Sequence, residues 1–137
     1  MLTKLTFFSI TALLAVACGA SDRMAPITVE DLVENPEKYL NKSNFIEACL
    51  NVTRHGMTFV QCGKINEQIT FEAAEGASAE YDRILKTGFR HYGSHTDDIR
   101  VRLFARFERI ESSSKNYRLR VERVVAIQIP LKGDGGN

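Results

Sequence analysis

The chain has 137 residues, with 18 Lys and Arg against 17 Asp and Glu, for a formal net charge of +1 at pH 7. This balance argues against a dedicated nucleic-acid-binding protein, because such proteins normally carry a basic excess. The length suits one domain with its own hydrophobic core.

The first 18 residues predict export from the cytoplasm. Lys4 precedes an apolar run from Leu5 to Val16, which is too short to span a bilayer and is therefore typical of a cleaved signal peptide. The small residues 15–17 before Cys18 resemble the lipobox of bacterial lipoproteins. The resemblance implies that Cys18 becomes the acylated N-terminus. An ordinary export signal is the alternative, since residues 15–17 also match the A-x-A cleavage pattern.

The lipobox resemblance divides the chain and gives it a location. It implies a signal peptide over 1–17 and a lipidated tether over 18–27. The remaining sequence pattern predicts a single β-barrel-like domain over 28–131 and a disordered tail over 132–137. Gly19 stands where this family carries an aspartate as its inner-membrane retention signal. We therefore expect a lipid-anchored protein of the bacterial envelope, on the outer membrane and facing the periplasm, with a secreted or soluble periplasmic protein as the alternative.

Cysteine usage predicts a structural disulfide. Lipidation of Cys18 leaves Cys49 and Cys62 as a pair in an oxidising compartment. Alternating apolar residues before and after His55-Gly56 predict a hairpin with a two-residue turn there. This register places Cys49 directly opposite Cys62, Leu50 opposite Gln61 and Val52 opposite Phe59. The absence of a C-x-x-C motif argues against a redox-active pair.

Further elements follow in chain order. We predict a first helix capped by Thr28, with Asp31 in a capping-box role, and a helical turn over 36–40 begun by Asn35 and Pro36. The hairpin strands cover 43–53 and 57 to about 65, and after a turn near Asn66 a third strand covers 68–73. A second helix is capped by Ser78 and ended by Gly88, and it is followed by strands over 99–110 and 116–129.

Three strands, a helix and two strands resemble the chain order of the OB-fold. The resemblance implies a mainly β (α+β) chain with a small five-stranded OB-like barrel, one helix between strands 3 and 4, and short helical turns at the N-terminus. The lead-in from Asn35 to Lys42, running into a strand, is also similar to small exported lipoproteins with OB-type domains. A cystatin-like sheet and a short β-sandwich are the alternatives.

The last two strands alternate apolar and charged residues. We expect Ile99, Val101, Leu103, Ala105, Phe107, Leu119, Val121, Val125, Ile127 and Ile129 to point inward. A candidate basic face then points outward, formed by Arg100, Arg102, Arg106, Arg118 and Arg120. If Phe107 lies opposite Val121, Glu108 faces Arg120 and Arg106 faces Glu122. This self-paired, solvated face is favoured over a site for an anionic polymer.

The segment from Phe89 to Asp98 is predicted to be an irregular loop and is the best candidate for a contact with another protein. Its aromatic and cationic residues belong to types enriched at interfaces; they are Phe89, Arg90, His91, Tyr92 and His95. Histidines four residues apart would share a helix face as metal ligands, but Gly93 argues against a helix there. We therefore expect neither a metal site nor a cofactor.

The predicted function is binding rather than catalysis. The sequence contains no G-x-S-x-G, P-loop or H-E-x-x-H motif, and we expect no enzyme activity. The predicted partners are a membrane, through the lipid, and a protein or other envelope component, for which the chain serves as an assembly or scaffold partner. The alternative is a periplasmic inhibitor or immunity protein that blocks a toxic or lytic enzyme; a hydrolase or metalloenzyme ranks third. Nucleic acid is not an expected partner, because the loop between the last two strands lacks aromatic residues for stacking.

Overall fold

The structure, a computed structural model, describes residues 25–93, 99–111 and 116–131. These residues form β1 (Ile27–Thr28), α1 (Val29–Glu34), α2 (Pro36–Tyr39), β2 (Ser43–Thr53), β3 (Gly56–Gln61), β4 (Lys64–Ala73), α3 (Ser78–Arg90), β5 (Arg100–Arg109) and β6 (Tyr117–Gln128). The prediction of a mainly β chain is confirmed. The predicted signal peptide, Cys18, His95 and the tail over 132–137 lie outside the described residues.

Five strands, β2 to β6, form a ring, which the pairing of β2 with β5 closes. The strand order is β1-β2-β3-β4-β6-β5, and β2 also pairs with β5. The first half of β2 pairs with β5, from Ser43 opposite Arg106 to Cys49 opposite Arg100, and its second half pairs with β3. Within the ring, β4 and β6 run parallel, while the other pairs are antiparallel.

The hydrophobic core consists of the side chains that the ring strands turn inward, together with residues from the helices. Its largest members with almost no exposure include Phe59, Phe107, Ile46, Leu103 and Leu119. Helix α1 buries Val29 and Leu32, and α3 buries Ile84. All five inward residues predicted for the fifth strand, from Ile99 to Phe107, are buried.

The predicted start of α1 is confirmed. The Thr28 hydroxyl accepts a hydrogen bond from the backbone N–H of Asp31 at 3.2 Å, and the Asp31 carboxylate accepts one from the Thr28 N–H at 2.9 Å. This reciprocal capping box satisfies two of the donors that a helix start leaves open. Pro36 begins α2 as predicted, although Asn35 contributes no side-chain cap. Just before α1, Ile27 pairs with Ile46 in a short parallel ladder, so β structure begins at Ile27.

The register predicted for the β2–β3 hairpin is wrong by two residues. The turn is Arg54-His55, and Val52 lies opposite Met57 rather than Phe59. The Thr53 hydroxyl accepts a hydrogen bond from the His55 N–H at 3.2 Å, which stabilises this turn locally. A slip of two residues preserves the alternation of faces, so the apolar residues Leu50, Val52 and Phe59 are still buried together.

The turn after β3 also differs from the prediction. It occurs at Cys62-Gly63 rather than near Asn66, and β4 begins at Lys64 rather than Gln68. Gly63 has a φ of 83°, a left-handed conformation that glycine adopts readily. The Gly63 turn therefore ends β3 earlier than its apolar pattern suggests.

Both predicted ends of α3 are wrong. The N-cap is Ala77 rather than Ser78, and no side chain caps this end. Gly88 is buried inside the helix, which continues to Arg90. A Cβ at Gly88 would overlap the terminal methyl of Met57 and would lie 3.1 Å from Val52 Cγ2. Gly88 therefore allows α3 to approach the β2–β3 hairpin closely, instead of ending the helix.

The β5–β6 register is likewise displaced by two residues. Phe107 lies opposite Leu119 rather than Val121, and the ladder shifts at two places. As a result, Glu108 faces Arg118 rather than Arg120, and Arg106 faces Arg120 rather than Glu122. We attribute the shifts to β-bulges, which insert an extra residue into one strand.

The shifts also change which β6 residues point inward. Val124 lies opposite Leu103 and is buried, whereas Val125 is 47% exposed. Ile127 packs against the core as predicted, but Ile129 is 46% exposed. The prediction that Val125 and Ile129 are core residues is wrong. A bulge leaves Val125 without an opposite residue, between the pairs Leu103–Val124 and Arg102–Ala126, and Ile129 lies beyond the end of β6 at Gln128.

Candidate functional site

The predicted basic face is a ladder of ion pairs. We use the term arginine face for Arg100, Arg102, Arg106, Arg118 and Arg120 on the outer side of β5 and β6. Each of the five lies within 4.0 Å of a glutamate carboxylate. They form two groups around different glutamates, described in turn below.

The first group surrounds Glu47 of β2. Arg102 Nε lies 2.7 Å from one carboxylate oxygen of Glu47, and Arg100 Nη1 lies 3.4 Å from the other. The β2–β5 register explains the contact, because Glu47 is directly opposite Arg102. One carboxylate therefore neutralises half of the charge that these two arginines bring.

The second group surrounds Glu108 of β5. The Nε atoms of Arg118 and Arg120 each lie 3.1 Å from a Glu108 oxygen, and Arg106 Nε lies at 3.7 Å. Glu72 of β4 approaches from the other side, 3.3 Å from Arg118 and 4.0 Å from Arg120. The ion pairs thus connect β4, β5 and β6.

Glu108 is the least exposed carboxylate of its group, at 18% against 56% for Glu72. Burial alone would raise the pKa of Glu108, but hydrogen bonds and charges from Arg118 and Arg120 outweigh burial and lower it. Glu108 therefore stays ionised at neutral pH. The guanidinium groups around it already have an internal counter-ion, which weakens the case for an external anionic ligand.

An aromatic pair separates the two arginine groups. The rings of Phe45 on β2 and Phe104 on β5 lie 5.4 Å apart, and the Arg123 guanidinium stacks over Phe104 at 4.7 Å. Phe45 and Phe104 face each other in the ladder, and Arg123 is opposite Phe104 on β6. The sequence analysis missed this cluster. The available signal was an aromatic residue, Phe104, at an outward position among arginines.

The predicted contact loop is partly helical. Phe89 and Arg90 form the last turn of α3, and the N–H groups of His91 and Tyr92 bond back to Gly88 and Phe89 at 3.2 Å. We call residues Phe89 to Tyr92 the aromatic helix end. Its Phe89 and Tyr92 side chains are 53% and 54% exposed. The expectation of an irregular conformation here is wrong for Phe89 and Arg90, because Gly88 does not end the helix.

The disulfide between Cys49 and Cys62 is present, with the two Cα atoms 5.0 Å apart. Cys49 lies opposite Val60 rather than directly opposite Cys62. The bond therefore links β2 to the turn that follows β3. Beside this turn, the Gln61 side chain accepts a hydrogen bond from the Glu30 N–H at 2.9 Å, which connects the end of β3 to α1.

Within residues 25–93, 99–111 and 116–131, no three His, Cys, Asp or Glu side chains come together in a group that could hold a metal ion. Every buried side-chain nitrogen or oxygen in those ranges has a hydrogen-bond partner. None of the helices described there is long and apolar enough to cross a membrane.

Comparison with known proteins adds no relative: no protein-family model matches the chain, and no curated protein matches its sequence.

Proposed function

We propose that this chain is a non-enzymatic, lipid-anchored binding domain of the bacterial envelope that serves as an assembly or scaffold partner of another envelope component. The signal-like N-terminus and the cysteine pattern support the anchor and the oxidising compartment. The anchor would be the lipid on Cys18, and the folded domain would carry the contact surface.

We also infer that the ring is an OB-like barrel. In the order β2-β3-β4-β6-β5-β2 the first three strands are consecutive, and the last two follow in reverse order. The parallel β4–β6 contact and the position of α3 between β4 and β5 further support this interpretation. Small barrels of this kind hold loops and helix ends on a rigid frame, which is what a scaffold partner requires.

The observation that carries the proposed function is the aromatic helix end. Phe89 and Tyr92 are both more than half exposed and are separated by two polar residues, Arg90 and His91. Aromatic residues and arginine are enriched in the centres of protein interfaces. The aromatic side chains bury a large area there at a small cost in side-chain entropy.

The helix that carries Phe89 and leads into the turn with Tyr92 is held in place. Gly88, immediately before Phe89, lies close to Met57 and Val52 of the hairpin. Ile84, one turn earlier, is fully buried. A rigid support of this kind favours binding, because less conformational entropy is lost when a partner docks.

The arginine face supports the same choice of contact surface. Its five arginines bind Glu47, Glu72 and Glu108 of the same chain. An anionic partner would compete with these internal carboxylates for the same guanidinium groups. The aromatic helix end offers exposed apolar area without that competition.

The test is site-specific photo-crosslinking in the exporting cell. A photoreactive phenylalanine analogue replaces Tyr92 in the full chain, and the matched control replaces Ile65, which is 51% exposed on β4. We expect a discrete protein adduct from position 92 that is absent from position 65. The adducts are identified by mass.

A second variant separates binding from folding. The double variant Phe89→Ser, Tyr92→Ser removes the exposed aromatic area, and the photoreactive group is placed at position 90 instead. We expect the protein adduct to be lost. The temperature of thermal unfolding should stay within a few degrees of that of the parent chain. The same adducts from positions 92 and 65, or an unchanged adduct from the double serine variant, would refute the proposal.

A further inference from the structure

The outer face of α3 carries a row of cations that leads to the aromatic helix end. Arg83, Lys86 and Arg90 are three and four residues apart, so they lie on the same side of the helix over about 10 Å of its length. All three side chains are exposed. We call these three residues the basic row. Its last member, Arg90, also belongs to the aromatic helix end.

The basic row differs from the arginine face in its counter-ions. Among the residues that the structure describes, no Asp or Glu carboxylate lies within 4.0 Å of the three cations. Of the two carboxylates on α3, Glu80 accepts a hydrogen bond from the Val124 N–H of β6 at 2.9 Å. Only Asp82 of this helix accompanies the basic row at the surface. The row therefore keeps an excess of positive charge.

A shallow depression follows the basic row. It is lined by Ala79, Asp82, Arg83, Lys86, Thr87 and Arg90. Ala79 contributes a single methyl group, which leaves room for a partner's side chain to enter between the longer cationic side chains. A carboxylate suits this position, because guanidinium and ammonium groups form short, charge-assisted hydrogen bonds to it.

We propose that the partner docking at the aromatic helix end is a protein with an acidic surface. Its carboxylates would bind the basic row, while an apolar patch beside them covers Phe89 and Tyr92. The inference rests on the proposed function, since it names the chemistry of the same partner. Interfaces commonly surround an apolar centre with charged groups, and these groups control the association rate and the choice of partner.

Asp82 favours a protein over an anionic lipid surface as the occupant. It lines the same depression as the cations, so a uniformly anionic bilayer would repel Asp82 while it attracts the basic row. A protein surface can place a cation opposite Asp82 and carboxylates opposite the row. In addition, Phe89 and Tyr92 are 53% and 54% exposed. Because their own chain covers nearly half of each side chain, neither ring can enter a bilayer deeply.

The test compares charge reversals in the full chain that carries the photoreactive phenylalanine analogue at position 92. R83E with K86E reverses two members of the basic row and leaves Phe89 and Arg90 unchanged. The matched control is K38E with K42E, which changes the net charge equally at two exposed lysines beside α2. R83Q with K86Q removes the two charges without introducing new carboxylates. Circular dichroism checks the folding of each variant.

Envelopes isolated from the exporting cell are illuminated at about 50 mM and about 500 mM sodium chloride, because salt screens exposed charges. For the parent chain we expect less protein adduct at the higher concentration. At the lower concentration, R83E with K86E should give at least about threefold less adduct than the parent. R83Q with K86Q should give an intermediate yield, and K38E with K42E should match the parent.

A charge swap tests the chemistry of the partner. The crosslinked segment of the partner, identified by mass, should contain Asp or Glu. Replacing two of these carboxylates by lysine should lower the yield with the parent chain and restore it with R83E and K86E. A full yield from R83E with K86E would overturn this inference and leave the proposed function standing. No adduct from the parent chain at position 92 would refute the proposed function and, with it, this inference.

Vesicles made of equal parts phosphatidylethanolamine and phosphatidylglycerol test the other occupant. The full chain carrying Cys18→Ser is used, so that no acyl chain drives binding. In flotation at the lower salt concentration we expect this chain to stay unbound. Binding that R83E with K86E abolishes would assign the basic row to an anionic lipid surface and would overturn its assignment to a protein.

Discussion

Replacing Glu108 by glutamine tests whether the arginine face is a structural ion-pair network. Hydrogen bonds to charged groups contribute about 1.5–3 kcal/mol each, and neutral ones contribute about 1 kcal/mol. Arg118 Nε and Arg120 Nε both donate to one oxygen of Glu108, and Arg120 Nε also donates to the other. Glu108→Gln weakens the contacts to the oxygen that remains and removes the contact to the oxygen that becomes an NH2 group. Glu108 is 18% exposed, and its partners Arg118 and Arg120 are 27% and 32% exposed. Because water partly screens these contacts, we use the lower end of the range for charged hydrogen bonds, about 1.5 kcal/mol. The free energy of unfolding in urea should fall by about 2 kcal/mol at pH 7.

The control is Glu72→Gln, which removes a carboxylate that is 56% exposed and should cost at most about 0.5 kcal/mol. The pKa of Glu108 is lower in the folded chain than in the unfolded chain. The contribution of ionised Glu108 to the free energy of unfolding is therefore complete above the pKa of the unfolded chain, and it is lost as pH falls through the pKa of the folded chain. The difference between wild type and Glu108→Gln should therefore be constant from pH 7 to about 5 and should shrink below about pH 4. Equal losses for the two variants, or a difference that grows in acid, would refute this reasoning.

Two further predictions concern the helices. Thr28→Ala should lower the free energy of unfolding by about 1 kcal/mol, because it removes the capping box. Ser78→Ala should change it by less than about 0.5 kcal/mol, because the Ser78 side chain caps no helix end. Equal effects of the two variants in chemical denaturation would contradict the observed caps. Gly88→Ala should destabilise by about 1 kcal/mol, because the new methyl group collides with Met57, and the cost should be smaller in a Met57→Ala background, where only the 3.1 Å approach to Val52 Cγ2 remains. A double-mutant cycle measures this coupling, and additive effects would argue against the close contact with Met57.

The sequence predicts which residues form the core better than it predicts which residues face each other. Side chains alternate with a period of two, and both register errors were slips of two residues. Leu50 and Phe107 therefore stay inside while their opposite neighbours change. Cross-strand charge pairs depend on the register itself, which is why the predicted pair of Arg106 with Glu122 is wrong.

Other features depend on contacts that a local pattern does not contain. Val124 and Val125 are both apolar, so nothing in the pattern shows which one a bulge turns outward. Gly88 has the usual signature of a helix end, and its packing against Met57 involves a residue far away in sequence. The stacking of Phe45 on Phe104 likewise requires the β2–β5 contact that closes the ring.

The central claim is that an exported domain is anchored through one cysteine while the other two are bonded to each other. Intact and peptide mass spectrometry of the chain recovered from membranes tests it directly. We expect a polypeptide that begins at Cys18, carries acyl chains on that residue and contains a Cys49–Cys62 peptide pair released only by reduction. An unacylated chain that begins at another residue would contradict the claim.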